Sequence, residues 1–251
     1  MLFSRRDMML STSAAALAGL SGCAPLTSAD ALSGPPPAPE AAAAPLSAAD
    51  QRAGAVIADI AEALLRDSPE GATGLGIDKD GRADLKSKLQ DRSPAGIAGT
   101  AALLRSSLTR LAAIDGAALS PAMAINVDVV RTSFEIGAAG FAFPYGDVSV
   151  GGWRNSPYVV AQNVGAFLDT PRMLDSQHQV ENRADAEAYL ARLDSYGAQL
   201  DGETERLRSA GGMGVIAPDF LLDKTLRQIR TSRAGTIAEW DIVTSIARRS
   251  A

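Results

Sequence analysis

The sequence predicts an all-α fold, a multi-helix array, from three observations. Apolar residues return at three- and four-residue spacing in successive segments. Stretches with strand-like alternation are sparse. Ser, Pro and Gly stand where the periodic segments begin and end. Apolar residues make up 46% of the chain, enough for a sizeable core. The formal charge of −5 argues against a nucleic-acid partner, whose phosphates need clustered Lys and Arg.

Residues 1–22 read as an export signal. Arg5 and Arg6 give a positive end, and residues 8–20 an apolar run diluted by Ser11, Thr12, Ser13 and Gly19. Leu20-Ser21-Gly22-Cys23 then has the order of a bacterial lipobox. Ser4-Arg5-Arg6-Asp7 also resembles a twin-arginine signal. The run is too short to cross the roughly 30 Å hydrocarbon core as a helix. Cys23, the one cysteine, is the expected lipidation site; an ordinary secretory cut beside a chance cysteine is the competing reading. Several acyl chains anchor firmly where one alone binds marginally, so the partner expected at this end is a membrane. With Cys23 lipidated, no thiol remains for a disulfide or a thiolate metal site. The expected location is the cell envelope facing the periplasm, and Ala24 in place of an aspartate favours the outer membrane. Residues 23–46, with Pro35-Pro36-Pro37 and Ala41 to Ala44, form an extended tether.

The helical domain spans residues 47–251. Ser47 is placed to cap a first helix with Asp50 in its first turn, and Val56, Ile57, Ile60, Leu64 and Leu65 give it one apolar face. Residues 69–81, punctuated by glycines, read as a loop. A second helix carries Ile97, Leu103, Leu104, Leu108, Leu111 and Ile114. A third opens at Ser120-Pro121, with Pro at the first helical position, and passes Val130 and Phe134. Residues 141–157 form a loop holding Tyr145 and Trp153, with a short strand at Val148-Ser149-Val150. The longest helix covers residues 185–209 through Tyr189, Leu190, Leu193, Tyr196, Leu200 and Leu207. Pro218 opens the next, through Phe220, Leu221, Leu222, Leu226 and Ile229, and Ile237, Ile242, Val243 and Ile246 begin a last one. No Gly cap or trailing Pro follows Ile246, so the domain is expected to be incomplete at its C-terminus.

No catalytic or metal-ligating residue emerges from the motifs. His178 is the one histidine, so an H-E-x-x-H zinc helix is excluded, and no G-x-S-x-G elbow marks a nucleophile. Alone, His178 fits a capping or buried hydrogen-bonded role better than a catalytic one. The Asp78-Lys79-Asp80-Gly81 stretch fails as a calcium loop because its glycine comes two places early and Leu89 stands where the bidentate Glu belongs. Gly71-Ala72-Thr73-Gly74-Leu75-Gly76 has the wrong spacing for a dinucleotide loop and follows no strand. Asp201, Glu203 and Glu205 are paired carboxylates, but Arg206 and Arg208 beside them indicate a solvated, charge-laced helix face.

Four segments carry a resemblance. Ser156-Pro157-Tyr158 runs through Gln162 to Gly165-Ala166. His178-Gln179-Val180-Glu181 leads to Asp185-Ala186-Glu187-Ala188-Tyr189-Leu190. Gly214-Val215-Ile216-Ala217-Pro218-Asp219 comes later, and Pro69-Glu70-Gly71-Ala72-Thr73-Gly74 stands first. In this order they resemble the bacterial domain-of-unknown-function family 885, whose larger helical members are similar to zinc metallopeptidases with an H-E-x-x-H helix in their second half. The resemblance implies that this chain is the N-terminal helical part, packing against a catalytic half or a separate chain supplying it and walling the cleft. Zinc is then implied only for full-length relatives, and the chain alone is expected to be inactive. Tyr158, Gln162 and His178 are the polar candidates for cleft-lining groups, against purely structural roles. The alternative is a complete, non-enzymatic lipoprotein that binds a ligand or partner through the 141–157 loop, where a core plug is the competing role of Tyr145 and Trp153.

Overall fold

A computed structural model describes residues 46–150 and 155–249. Arg5, Arg6 and Cys23, the tether up to residue 45, and Trp153 lie outside the described residues.

Ser47 Oγ accepts the Asp50 N–H at 3.0 Å and starts α1, Ala48–Asp67. Three helices then open on a Ser-Pro pair: α2 (Pro69–Leu75), α3 (Pro94–Ala112) and α4 (Pro121–Gly140). Proline suits such a start because its missing N–H is unneeded there and its fixed φ is already helical. Ser93 and Ser120 add side-chain caps to the Gly96 and Met123 amides, each worth about 1 kcal/mol. A 3-10 segment, Asp80–Ser87, lies between α2 and α3. There follow α5 (Ala166–Ser176), the 30-residue α6 (Arg183–Gly212), α7 (Asp219–Ser232) and α8 (Asp241–Arg249).

The main apolar core joins α1, α3 and α4. Ala53 and Ile60 meet Leu104 and Leu111 and then Val127 and Phe134, with Val56, Leu64, Leu108 and Met123 around them. Buried Asp50 ties two helix starts together by accepting the Ser120 N–H at 2.9 Å. A smaller cluster of Met173, Leu174 and Tyr189 joins α5 to α6, with Leu193 and Ile246 packed on it.

The structure departs from the sequence reading in three places. Residues 69–75 are helix rather than loop, since Pro69 presets the turn and Ala72 and Thr73 are buried, which outweighs the low helix propensity of glycine. No strand forms at 148–150; the pairing there is an isolated bridge between Asp147 and Ser156. Helix α5 had no counterpart in the sequence reading and carries Pro171 within it.

Helix α6 passes so close to the chain before α3 that only glycine fits at 202. A Cβ there would stand 2.6 Å from Ser93 N and 2.9 Å from the Arg92 carbonyl carbon. Neither is a side chain that can swing away. Gly202→Ala should therefore cost about 1–3 kcal/mol as overpacking. Gly197, on the same helix, has nothing within 4 Å of its Cβ position, so Gly197→Ala should gain about 0.5–1 kcal/mol from helix propensity alone. Opposite shifts of the urea midpoint in the two variants check this.

Candidate functional site

Seven residues of α6, Asp185, Tyr189, Arg192, Tyr196, Gln199, Glu203 and Arg206, recur at alternating four- and three-residue spacing and so share one face. In a soluble helix such a line is ordinarily apolar. Here every member is polar, and five are buried: Asp185, Tyr189, Arg192, Gln199 and Glu203. Burial without partners would cost several kcal/mol per group, so the partners define the site.

Arg192 is 0% exposed. Its Nε donates to Lys88 O at 2.9 Å and its Nη2 to Leu85 O at 3.1 Å and Thr73 Oγ1 at 2.6 Å. Thr73 passes the interaction on by donating to Asp78 Oδ2 at 2.8 Å, so the buried cation and carboxylate communicate through one hydroxyl. Nη1 donates to His178 Nδ1 at 2.9 Å. A guanidinium can only donate, so Nδ1 is unprotonated and Nε2 carries the hydrogen toward Asp185 O at 3.0 Å. Burial, and then the nearby Arg192, Lys86 and Arg249 charges, hold the imidazole below its ordinary pKa. His178 is therefore a fixed neutral acceptor.

At the helix start, burial pushes the Asp185 carboxyl up. The ion pair with Lys86 and the Glu181 and Asn182 contacts outweigh it and leave the group below its ordinary value. Two turns past Arg192, Gln199 Nε2 donates to Glu70 Oε1 and Gln90 O, each at 2.9 Å, and its Oε1 accepts from Thr170 at 2.7 Å. Glu203 accepts from Arg92 Nη1 at 2.8 Å, and its two oxygens receive the Ala166 N–H at 2.9 and 2.8 Å. That amide opens α5, so a carboxylate from α6 caps a helix 37 residues away in sequence. Gly165 supplies the entry to it with φ +126°, a backbone that side chains rarely adopt. Burial pushes Glu203 above its ordinary value although Arg92 pulls it back. The neighbouring Tyr196 phenol is pushed up to about 12, by burial first and Glu203 second. Arg206 ends the line on Gly146 O and Asp147 Oδ1, both at 2.8 Å.

Tyr196 and Glu203 also line a cavity of about 500 Å³. Its walls are Val160, Phe167, Pro171, Leu200, Leu207, Ile229, Trp240 and Ile242, with Arg233 and Asp241 among the polar residues. An apolar chamber with a few converging polar groups and displaced pKa values is the arrangement by which proteins hold small apolar groups.

Of the residues singled out from sequence, His178 is fully buried, and Tyr158 and Gln162 are half-buried. None of the three lines this cavity. Tyr145 is 36% exposed. Glu203, read as part of a solvated face, is instead 2% exposed, a correction forced by its place on the α6 line; Asp201 and Glu205 do face solvent. Arg192, Gln199 and Trp240 were not singled out. For Arg192 and Gln199 the detectable sign was polar side chains in register with Tyr189 and Tyr196; Trp240, beyond that helix, carried none. Among the described residues no group of three His, Cys, Asp or Glu side chains could hold a metal ion. His178 has both ring nitrogens committed, so the residues here do not fit a zinc centre.

Fold and site together define a multi-helix all-α protein whose longest helix carries a buried polar line and backs an apolar chamber. The chain belongs to the family described as bacterial protein of unknown function, DUF885, which matches residues 69–250. A crystal structure of a lipoprotein candidate from Colwellia psychrerythraea is similar in fold, with TM-score 0.69 and 18% identity. The match covers 80% of this chain and 34% of that one, so the chain spans about a third of that protein's length. No curated protein matches. Among the described residues no helix is long and apolar enough to cross a membrane.

Proposed function

We propose that this chain is the helical, substrate-walling portion of a lipid-anchored envelope hydrolase of the zinc-peptidase kind. It faces the periplasm through Cys23, and its contribution is to hold an apolar group while bond-breaking residues come from elsewhere. The observation that carries this reading is the 500 Å³ chamber over Glu203 and Tyr196. Its wall is built for contact with hydrocarbon or aromatic groups, while Glu203 behind it is locked by hydrogen bonds to Arg92 and the Ala166 amide and is unsuited to shuttle protons. Family membership and the fold shared with a lipoprotein candidate support it. So does the lipobox order before Cys23, and Ala24 after it favours the outer membrane.

The test uses the neutral fluorophore N-phenyl-1-naphthylamine, whose emission rises in apolar surroundings. Saturable binding at one site is expected, with Trp240 fluorescence quenched in step. Leu200→Trp, which fills the chamber, should weaken binding at least tenfold with helicity unchanged. Binding that Leu200→Trp leaves unaltered, or no saturable binding, overturns the reading. Stoichiometric, chelator-sensitive zinc in the purified chain would place the chemistry within the chain and overturn the division of labour.

A further inference from the structure

Helix α4 shows two faces. Val127, Phe134 and Gly137 are buried toward α1 and α3. On the opposite face Ala122, Ile125, Val129, Thr132, Ile136 and Ala139 are all exposed, the three large side chains at 63%, 62% and 54%. Their spacing alternates three and four, the seam by which one helix packs on another, and it runs about 26 Å along the axis without a charge.

The seam also reads nearly the same in both directions. About the point midway between Val130 and Arg131, Ala122 mirrors Ala139, Ile125 mirrors Ile136, and Val129 mirrors its near-isostere Thr132. A two-fold axis at that point would lay each residue of an antiparallel copy on its own kind. In an isologous interface residue i of one copy meets residue j of the other and j meets i, and on this seam that pairing sets Ala on Ala, Ile on Ile and Val on Thr.

We propose that a second copy of this chain covers the seam, α4 packing antiparallel on α4. The exposed side chains offer on the order of 500 Å² per copy, about 1,000 Å² in the pair, which is the small end of specific interfaces and implies a reversible dimer. Charge argues against an anionic lipid surface as occupant. Asp128 and Glu135 flank one side, Asn126 and Ser133 the other, and Arg131 is held by Asp128 at 3.1 Å. The two acidic flanks meet across the axis, so added salt should tighten the pair, opposite to an interface held by ion pairs.

The full chain carrying Cys23→Ser, which removes its one thiol, is the starting protein. Sedimentation through the micromolar range should show a dimer that strengthens with salt. Ile125→Cys mixed with Ile136→Cys should cross-link on oxidation. Ile125→Cys alone should not, because its two copies would sit about 16 Å apart along the axis. Ile125→Glu, at an exposed site, should keep full helicity and raise the dimer Kd more than tenfold. A monomer throughout the range overturns the proposal and leaves the seam to a different partner. A dimer indifferent to Ile125→Glu, or cross-linked as readily by Ile125→Cys alone, overturns it as well.

Discussion

Arg192→Met should lower the unfolding free energy by about 3 kcal/mol, although the substitution takes a charge out of the interior. Two effects oppose each other. Methionine no longer needs the guanidinium desolvated, which favours the variant, and burial already holds Arg192 below its ordinary pKa. Against this, the Leu85 carbonyl and His178 Nδ1 lose a donor where water cannot replace it, and the Lys88 carbonyl loses one at the edge of the interior. Buried Asp78 loses the cation it senses through Thr73. Each orphaned acceptor costs about 1–3 kcal/mol, so the losses win. Urea unfolding followed by circular dichroism measures the sum. His178→Asn, which can keep an acceptor in the Nδ1 position, should cost less than His178→Leu, and the Leu variant should couple non-additively with Arg192→Met. The imidazole also sets a pH dependence. Its folded pKa lies below the ordinary 6.5, so as pH falls below that value the unfolded chain takes up a proton the folded chain refuses. Stability from this group is present above pH 6.5 and is lost as pH falls toward the folded pKa.

What the sequence made legible follows from how far each signal reaches along the chain. Ser120-Pro121 marks a helix start within two residues, and the structure starts α4 there. Ser47 and Asp50 likewise act locally, and α1 begins at the next residue. Helix α5 is different. Its first amide is satisfied by Glu203, which stands on another helix, and its entry depends on Gly165; no local pattern announces either. The same distance hid Glu203. Arg206 and Arg208 nearby gave it the look of a solvated carboxylate, but its true counter-ion, Arg92, is 111 residues earlier. Read four and three residues apart from Gln199 and Arg206, it falls on the interior line. The cavity was illegible for a related reason, since its walls come from α5, α6, α7, the start of α8 with Trp240 before it, and Val160 in the loop ahead of α5.

Glu203 should be the other position where one substitution is felt throughout the fold. Glu203→Ala removes the cap of α5, leaves Arg92 without its near carboxylate, and opens space beneath the chamber. Arg92 is itself only 15% exposed, its Nε already has no hydrogen-bond partner among the described residues, and Asp169 stands at 3.9 Å. Breaking a buried pair from one side costs about 3–5 kcal/mol, and the upper end is expected for alanine. Glu203→Gln should cost less, because its amide oxygen still accepts the Ala166 N–H, while its NH2 faces Arg92 as a second donor. The pH dependence separates the lost charge from the lost cap. Burial raises the folded pKa of Glu203 above 4.5, so its stabilisation is fully present below that pH and declines as pH rises through the folded value. The stability gap between the natural chain and Glu203→Gln should therefore narrow with rising pH. Carboxylates held below their ordinary values, such as Asp185, pull the opposite way but cancel in the difference. Tyr196 gives an independent readout. Removing the Glu203 charge makes its phenolate easier to form, so its titration should move down from about 12 while burial keeps it above 10. A gap that widens with pH would mean Glu203 is held by Arg92 more strongly than burial opposes it, making its ion pair the dominant support of the wall behind the chamber.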